Sequence, residues 1–200
     1  IVDLASYCEY YNFTDPLGMI DSRLPVGTHE VQVYWMGVLT NQTQVSFTDD
    51  SLVTIVARIY YPVLIIQDVD GNPLENARVD VALNETGEVL ASIDTNAKGE
   101  AALRLPAAIY DLMVDWKGVR VYNEGAYAIL MDDEREIKSS VYNLELVVVD
   151  SQNVPLKDAL ISMALTQDGR MMAKVTTDVN GSALARLPGA RRRRLERRSE

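Results

Sequence analysis

The chain is poor in the residues from which most active sites and covalent crosslinks are built. Its 200 residues include one cysteine, Cys8, and one histidine, His29. A single cysteine excludes an intrachain disulfide and leaves either a buried thiol or a bridge to another chain. A single histidine excludes a zinc site built from several histidines of one chain. With no nucleophile–base pair visible either, the sequence predicts a protein that is not an enzyme and has no cofactor.

The sequence also lacks long apolar runs and, apart from its last ten residues, an excess of basic side chains. No stretch of eighteen apolar residues occurs, so we expect membrane attachment only through an anchor outside this sequence. The last ten residues, 191–200, contain six arginines and two glutamates, and the remaining residues carry 13 basic and 27 acidic side chains. Because residues 1–190 carry such an excess of negative charge, they repel phosphate backbones, and we expect them to bind no nucleic acid.

What is present is a pattern of short strands and tight turns between residues 61 and 118. The alternation of apolar and polar residues there has the period of two that marks half-buried strands. Gly, Asn and Asp occupy the reversals, where a positive φ is tolerated. The defining residues, in chain order, are Val63 to Leu74, Ala77, Thr95, Gly99, Leu105-Pro106, Tyr110 to Trp116 and Gly118.

These residues resemble the carboxypeptidase regulatory-like group of immunoglobulin-like and transthyretin-like β-sandwiches. The resemblance implies an all-β fold of antiparallel sandwiches. It also implies a non-catalytic module of secreted or cell-surface proteins, here a fragment of a longer chain.

The same markers recur on both sides of this stretch. Those before it precede their counterparts in the middle copy at an offset of 81, and they are Thr14, Gly18, Leu24-Pro25 and Trp35. Those after it follow their counterparts at an offset of 82, and they are Thr177, Gly181 and Leu187-Pro188. The spacing predicts tandem repeats of about 82 residues.

We therefore divide the chain into four parts. Residues 1–60 form a partial sandwich that lacks its first strands, 61–141 a complete one, and 142–190 a partial one that lacks its last strands. Residues 191–200 form a basic tail, which is either an anionic-surface or nucleic-acid-binding segment or a disordered product of a shifted reading frame or cloning scar. The partial ends either continue into further repeats of a longer chain or complement each other head to tail between copies.

Two acidic clusters are candidate ligands for weakly bound calcium. Asp68 and Asp70 stand beside Gly71, and Asp132 and Asp133 lie where the middle copy meets the last. The helix-flanked loop and distal glutamate of an EF-hand are missing. Turn chemistry explains the first pair as well, and a solvated loop explains the second.

Other conspicuous residues fit the predicted sandwich. We expect His29 to be a hydrogen-bonded residue near its edge, and Trp35 and Trp116 to be core residues because they share a strand face with valines and leucine. Four Asn-x-Ser/Thr sequons favour a glycosylated exterior. Their asparagines are Asn12, Asn41, Asn84 and Asn180.

The sequence thus predicts a structural or adhesion module, such as a stalk, spacer or surface-layer segment, that is extracellular or on the cell surface. Its expected partners are neighbouring repeats. The alternative is a carbohydrate-binding module that accompanies a secreted enzyme and uses exposed aromatic side chains to bind glycan. The candidates for that surface are Tyr10, Tyr11, Tyr60 and Tyr61.

Overall fold

The computed structural model describes residues 11–189, in which every helix or strand element is a β-strand. No helix in that range is long and apolar enough to cross a membrane. Cys8, Tyr10 and the arginine run 191–194 lie outside the described residues. The strands are β1 (Gly27–Trp35), β2 (Val38–Phe47), β3 (Ile59–Tyr60), β4 (Val63–Gln67), β5 (Arg78–Leu83), β6 (Val89–Asp94), β7 (Glu100–Ala102), β8 (Leu105–Pro106), β9 (Ala108–Trp116), β10 (Val119–Ile129), β11 (Glu134–Lys138), β12 (Val141–Val147), β13 (Leu160–Ala164), β14 (Met171–Thr176) and β15 (Ser182–Pro188).

The middle unit, residues 61–141, is a sandwich of two sheets. One sheet has the strand order β10-β9-β5-β6 and the other β11-β4-β7. All neighbouring strands are antiparallel except β11, which runs parallel to β4. Four strands facing three is the arrangement of a constant-type immunoglobulin domain. The predicted all-β, immunoglobulin-like sandwich is therefore confirmed.

Strand β9 shows how the sequence pattern becomes packing. Its predicted inward residues, Tyr110, Leu112, Val114 and Trp116, are all buried, and the residues between them are partly exposed. Each such side chain removed from water contributes about 1.5–3 kcal/mol. Across the core they meet Leu64 and Ile66 of β4, which are also fully buried. Alternation along one strand has thus placed one face of β9 in the centre of the molecule.

The threonine markers make the same hydrogen bonds in two places. Thr95 donates its hydroxyl to the carbonyl of Leu74 and accepts from the amide of Ala77 at 2.9 Å. At an offset of 82, Thr177 donates to the carbonyl of Leu156 at 2.6 Å and accepts from the amide of Ala159 at 2.9 Å. Both threonines are buried, so each satisfies two backbone groups that water does not reach.

The turn that follows each threonine is also repeated, this time in three places. The side-chain oxygen of Asp15, Asn96 or Asp178 accepts from the backbone amides two and four residues further on, at 2.8–3.1 Å. A glycine three residues after it adopts a positive φ of 77°, 77° and 70° in turn. These turns need only local chemistry, and the same side-chain pattern produces the same backbone each time.

The first unit, residues 11–60, has little regular structure apart from the β1–β2 hairpin and the short β3. The sequence from Leu52 to Tyr60 predicts a single strand that runs into the middle unit. This prediction is wrong for most of that length, because only Ile59 and Tyr60 pair, with β8 of the middle unit. Val56 and Arg58 hydrogen-bond to Asn41 and Thr40 of β2, but residues 52–58 form no strand pair within the described range. Trp35, expected in the core, is only half-buried since no described second sheet covers the hairpin.

The last unit, residues 142–189, contains two separate pairs of strands. Strand β12, which begins at Val141, pairs with β15, and β13 pairs with β14. The registers follow those of the middle unit at an offset of 82, as in Tyr142 with Leu187 and Tyr60 with Leu105. The domain boundaries predicted from the sequence remain a prediction.

Candidate functional site

The most specific polar arrangement in the described residues lies where the last unit meets the middle unit. Arg186, on β15, extends its guanidinium onto the loop between β4 and β5. Its Nη2 lies 2.9 Å from Oδ2 of Asp68. It also donates to the carbonyls of Pro73, at 3.1 Å, and Asn72, at 3.3 Å. We call this set of contacts the inter-unit clasp.

The loop that contains Asp68 holds its carboxylate in position to pair with Arg186. Its Oδ1 accepts from the amides of Asp70, at 3.0 Å, and Asn72, at 2.8 Å, while the Asn72 side chain also donates to the carboxylate. The side chain is fully buried. Burial alone raises the pKa of Asp68, but the hydrogen bonds from Asn72, the charge of Arg186 and the amide of Asp70 together hold it below its ordinary value. Asp68 is therefore a buried, ionised acceptor for one arginine.

Aromatic and backbone contacts extend the clasp. The Arg186 guanidinium carbon lies 6.0 Å from the centre of the Trp116 ring, and Lys117 Nζ lies 4.3 Å from it. Lys117 also donates to the carbonyl of Met172 at 2.7 Å. In return, Arg170 of the last unit donates to the carbonyl of Gly118 at 2.6 Å. The pKa of Lys117 is lowered by burial and by the nearby charge of Arg186. The turn after β9 is thus joined to the last unit by two hydrogen bonds, one donated by Lys117 of the turn and one by Arg170 of the last unit.

An incomplete version of the clasp joins the first unit to the middle one. Arg104 corresponds to Arg186 at an offset of 82, and Trp35 corresponds to Trp116 at an offset of 81. The Arg104 guanidinium carbon lies 4.9 Å from the centre of the Trp35 ring and 5.8 Å from that of Tyr61. Within the described residues Arg104 has no carboxylate partner. The aromatic half of the contact is present and the ionic half is not.

The chemistry of the clasp is that of a fixed joint. A guanidinium presents its donors in a rigid plane, so a carboxylate and two carbonyls on one side define its orientation. The cation–π contact between Arg186 and the Trp116 indole, at 6.0 Å, adds a further attraction. None of these groups is a nucleophile beside a general base. The arrangement orients one unit against the next.

In this structure the four carboxylates predicted as calcium ligands have hydrogen-bond or ion-pair partners in the protein. Asp68 faces Arg186, and Asp70 Oδ2 accepts from the side chain of Asn143 at 2.7 Å. Asp132 accepts from the amide of Tyr61 at 2.7 Å, and Asp133 from that of Glu134 at 2.9 Å. Within residues 11–189 no group of three or more His, Cys, Asp or Glu side chains is placed to hold a metal ion. Calcium binding stays a prediction.

His29 plays the part that a tyrosine plays in the middle unit. Tyr110 donates its hydroxyl to the carbonyl of Pro106 at 2.7 Å, the bond known as a tyrosine corner in immunoglobulin-like domains. At the matching positions, Nε2 of His29 lies 2.7 Å from the carbonyl of Pro25. The His29 ring also stacks on Phe47, with centroids 5.1 Å apart. Burial raises the pKa of Tyr110 to about 12.

The four sequon asparagines differ in accessibility. Asn12, Asn84 and Asn180 are exposed, and Asn41 is half-buried. The Asn41 side chain donates to the carbonyl of Val56 at 2.6 Å, and that of Asn84 donates to Asp111 at 2.6 Å. Glycosylation at all four stays a prediction.

The described tyrosines of the carbohydrate hypothesis differ in how exposed they are. Tyr11 and Tyr61 are exposed, at 85% and 56%. Tyr60, however, packs against the core, and Tyr61 lies beside Arg104. Glycan binding remains a prediction.

No protein-family model and no curated protein matches the sequence. Several solved structures are similar to the chain. The Bacillus anthracis TIE protein is 22% identical over 88% of this chain and 37% of its own, with a TM-score of 0.36. A streptococcal ancillary pilin is 18% identical over 82% and 64%, with a TM-score of 0.33. Klebsiella pneumoniae 5-hydroxyisourate hydrolase is 25% identical over 40% and 90%, with a TM-score of 0.31.

These likenesses define no function for the chain. All three TM-scores are below 0.5, and the chain spans 37% and 64% of the first two proteins. The all-β class follows from the strand pairing of the chain itself.

Sequence reasoning missed the arginines of the clasp. It used the Leu-Pro dipeptides as repeat markers, but the residue before each of them is also shared. That residue is Arg23, Arg104 or Arg186. The arginine before each Leu-Pro pair recurs at the spacing of the sequence repeat, and this recurrence could have identified Arg186 as a candidate.

Proposed function

We propose that this chain is a non-catalytic structural module, a stalk, spacer or surface-layer segment of an extracellular protein, whose units are held in a fixed orientation. The observation that carries the proposal is the clasp, in which the fully buried Asp68 pairs with Arg186 of the neighbouring unit. Two units on a flexible linker have no need for such an ion pair. A spacer that must hold a distance does.

The acidic body and the sequons support an extracellular setting for the same module. Its surface carries mostly carboxylates, which keep a chain soluble and separate. The exposed Asn12, Asn84 and Asn180 are accessible to glycosylation. Immunolabelling of intact source cells would test this setting. Signal that appears only after permeabilisation would contradict it.

Small-angle X-ray scattering tests the fixed orientation. The full chain at low concentration should give scattering that a single arrangement of the middle and last units explains. Arg186→Ala removes the ion pair and two carbonyl contacts. The two units of this variant should therefore adopt a wider range of relative orientations, and its scattering should fit no single arrangement. Lys174→Ala, a change of the same charge on β14 of the last unit, is the control and should scatter as the unaltered chain does. Equal flexibility of the unaltered chain and Arg186→Ala would contradict the proposal.

The non-catalytic part of the proposal has its own test. The purified chain should hydrolyse neither peptide nor glycan substrates. Turnover that follows the chain through purification would overturn it.

A further inference from the structure

Several strands of the first and last units have an open edge in the described part of the chain. Strand β1 pairs only with β2, β13 only with β14, and β12 only with β15. In the middle unit the corresponding strands all have two neighbours: β5 lies between β6 and β9, and β4 between β7 and β11. Within the described residues, the open strands of the last unit match middle-unit strands whose second neighbours, β9 and β11, correspond to β1 and to residues 52–56 of the first unit.

We propose that copies of this chain associate head to tail, with the β1–β2 hairpin of one copy completing the sandwich of the last unit of another. The inference goes beyond the proposed function, because a spacer need not self-associate. The occupant of the open β13 edge is β1 of a second copy. The strand pairs of the middle unit predict the register of the new strand pair, and its clasp with the last unit predicts the contact between copies.

The template sets the register of the new strand pair. Val79 of β5 lies opposite Val114 of β9, and Val81 opposite Leu112. Shifted by the repeat, these pairs become Ile161 of one copy opposite Val33 of the next, and Met163 opposite Val31. These four residues are half-buried, whereas their counterparts in the middle unit are fully buried.

A second segment matches the other open edge. Residues 52–56 occupy the positions of β11 at an offset of 82, yet they pair with no described strand. Leu52 is 84% exposed and Val56 75%. In the middle unit Ile137 of β11 lies opposite Ile66 of β4. The template therefore places Ile55 of one copy opposite Val148 of the next.

The clasp provides an independent reason for the same arrangement. Asp150 corresponds to Asp68, and its Oδ1 likewise accepts from the amides two and four residues on, at 2.8 and 2.9 Å. It is exposed and has no cationic partner in residues 11–189, whereas Asp68 is covered by Arg186. Arg104 has the aromatic half of a clasp and no carboxylate. When the Trp35 hairpin of one copy completes the last unit of another, Arg104 meets Asp150.

A disulfide between copies tests the register. Two variants are made in a Cys8→Ser background, one with Ile161→Cys and the other with Val33→Cys, and mixed under mild oxidation. Paired residues have Cα atoms about 4.5–5.5 Å apart, which a disulfide spans, so a crosslinked heterodimer should form. Gln32→Cys in place of Val33→Cys points to the opposite face and should crosslink much less. Equal crosslinking of both pairs would overturn the proposal.

Charge reversal tests the joint. Sedimentation equilibrium of the full chain should show association that increases with concentration. Asp150→Arg alone and Arg104→Asp alone should each weaken it about tenfold or more, as loss of a close interfacial charge pair does. The double variant should recover most of the affinity. Glu85→Arg, the same charge change as Asp150→Arg on an exposed turn of the middle unit, should leave it unchanged.

Two results would overturn the inference. One is a concentration-independent monomer, which would mean that the open edges do not accept a second copy. The other is association that neither charge reversal weakens, which would place the contact elsewhere. Neither result touches the proposed function, whose scattering test is made on the monomer.

Discussion

The middle and last units share their turns and strand registers but differ in how much of each is buried. Leu74 is fully buried in the middle unit, and its counterpart Leu156 is 40% exposed. Val79 and Val81 are fully buried, whereas Ile161 and Met163 are half-buried. The turns form because their hydrogen bonds are local. Burial needs the two sheets that β9 and β10 on one side and β11 on the other complete, so local structure and core formation are separable in this molecule.

The largest effect is expected where a turn touches the core. Gly99→Ala forces alanine into a positive φ, which costs about 1–2 kcal/mol, and places a Cβ against the backbone carbonyl of Ile66. Relieving that overlap adds about 1–3 kcal/mol, as overpacking does. Gly18→Ala has the same φ with open space around it and should cost only the first amount. Urea unfolding of the purified variants measures both. Equal losses would mean that the turn, not the core, sets the stability.

The next effect compares two valines at matching positions. Val114→Ala empties a fully buried site of β9 and should lower the free energy of unfolding by about 2–3 kcal/mol. Val33→Ala, in the half-buried site of β1, should cost less than about 1 kcal/mol in dilute solution. Urea titration followed by Trp116 fluorescence in a Trp35→Phe background reports the first, and hydrogen exchange of β1 amides reports the second. A Val33→Ala loss as large as that of Val114→Ala would show that the first hairpin has a full core.

Breaking the joint should cost about as much as emptying one core site, or slightly less. Arg186→Ala leaves the buried Asp68 without its cation, and hydrogen bonds to charged groups are worth about 1.5–3 kcal/mol. Arg104→Ala loses only stacking, worth about 0.5–1 kcal/mol at an exposed site. The same urea titrations compare the two at a concentration where the chain is monomeric. If Arg104→Ala lowered the free energy of unfolding more than Arg186→Ala does, the contact at Arg104 would be the stronger of the two.

The smallest expected effect is that of acid. Because the pKa of Asp68 in the folded chain lies below its ordinary value of 3.8, its ionised form contributes stability above that value. The contribution is lost as the pH falls below 3.8 toward the folded pKa. Asp68→Asn should have a smaller dependence of urea stability on pH in that range. Identical pH profiles for the unaltered chain and Asp68→Asn would contradict the ionic clasp.

Much of the fold was predictable because its signals are short-range. The alternation in Tyr110 to Trp116, the threonines at 95 and 177 and the glycine turns each need only a few neighbouring residues to act. Strand β9 accordingly begins two residues before the predicted Tyr110 and ends at the predicted Trp116. Residues 52–58 were expected to form a strand and did not, because a strand needs a partner that the local pattern does not provide.

The candidate site was far less predictable. Asp68 was singled out as a turn residue and a calcium candidate, and Arg186 was not singled out at all. They lie in different units, far apart in the chain, and no local pattern links them. Trp35 and Trp116 have the same parity in their strands, yet only Trp116 is buried. Strand parity specifies which face a side chain occupies, but a second sheet determines whether that face is covered.

The sequence by itself therefore determined the repeat, the turns and the alternating faces of the strands, because backbone hydrogen bonds within a turn and the period of a pleated strand depend on neighbouring residues alone. Only the tertiary structure decided which of three equivalent arginines has a carboxylate, which tryptophan is in the core and which edges stay open. Those outcomes depend on whether another sheet packs at the same place, and that depends on residues far away in the chain.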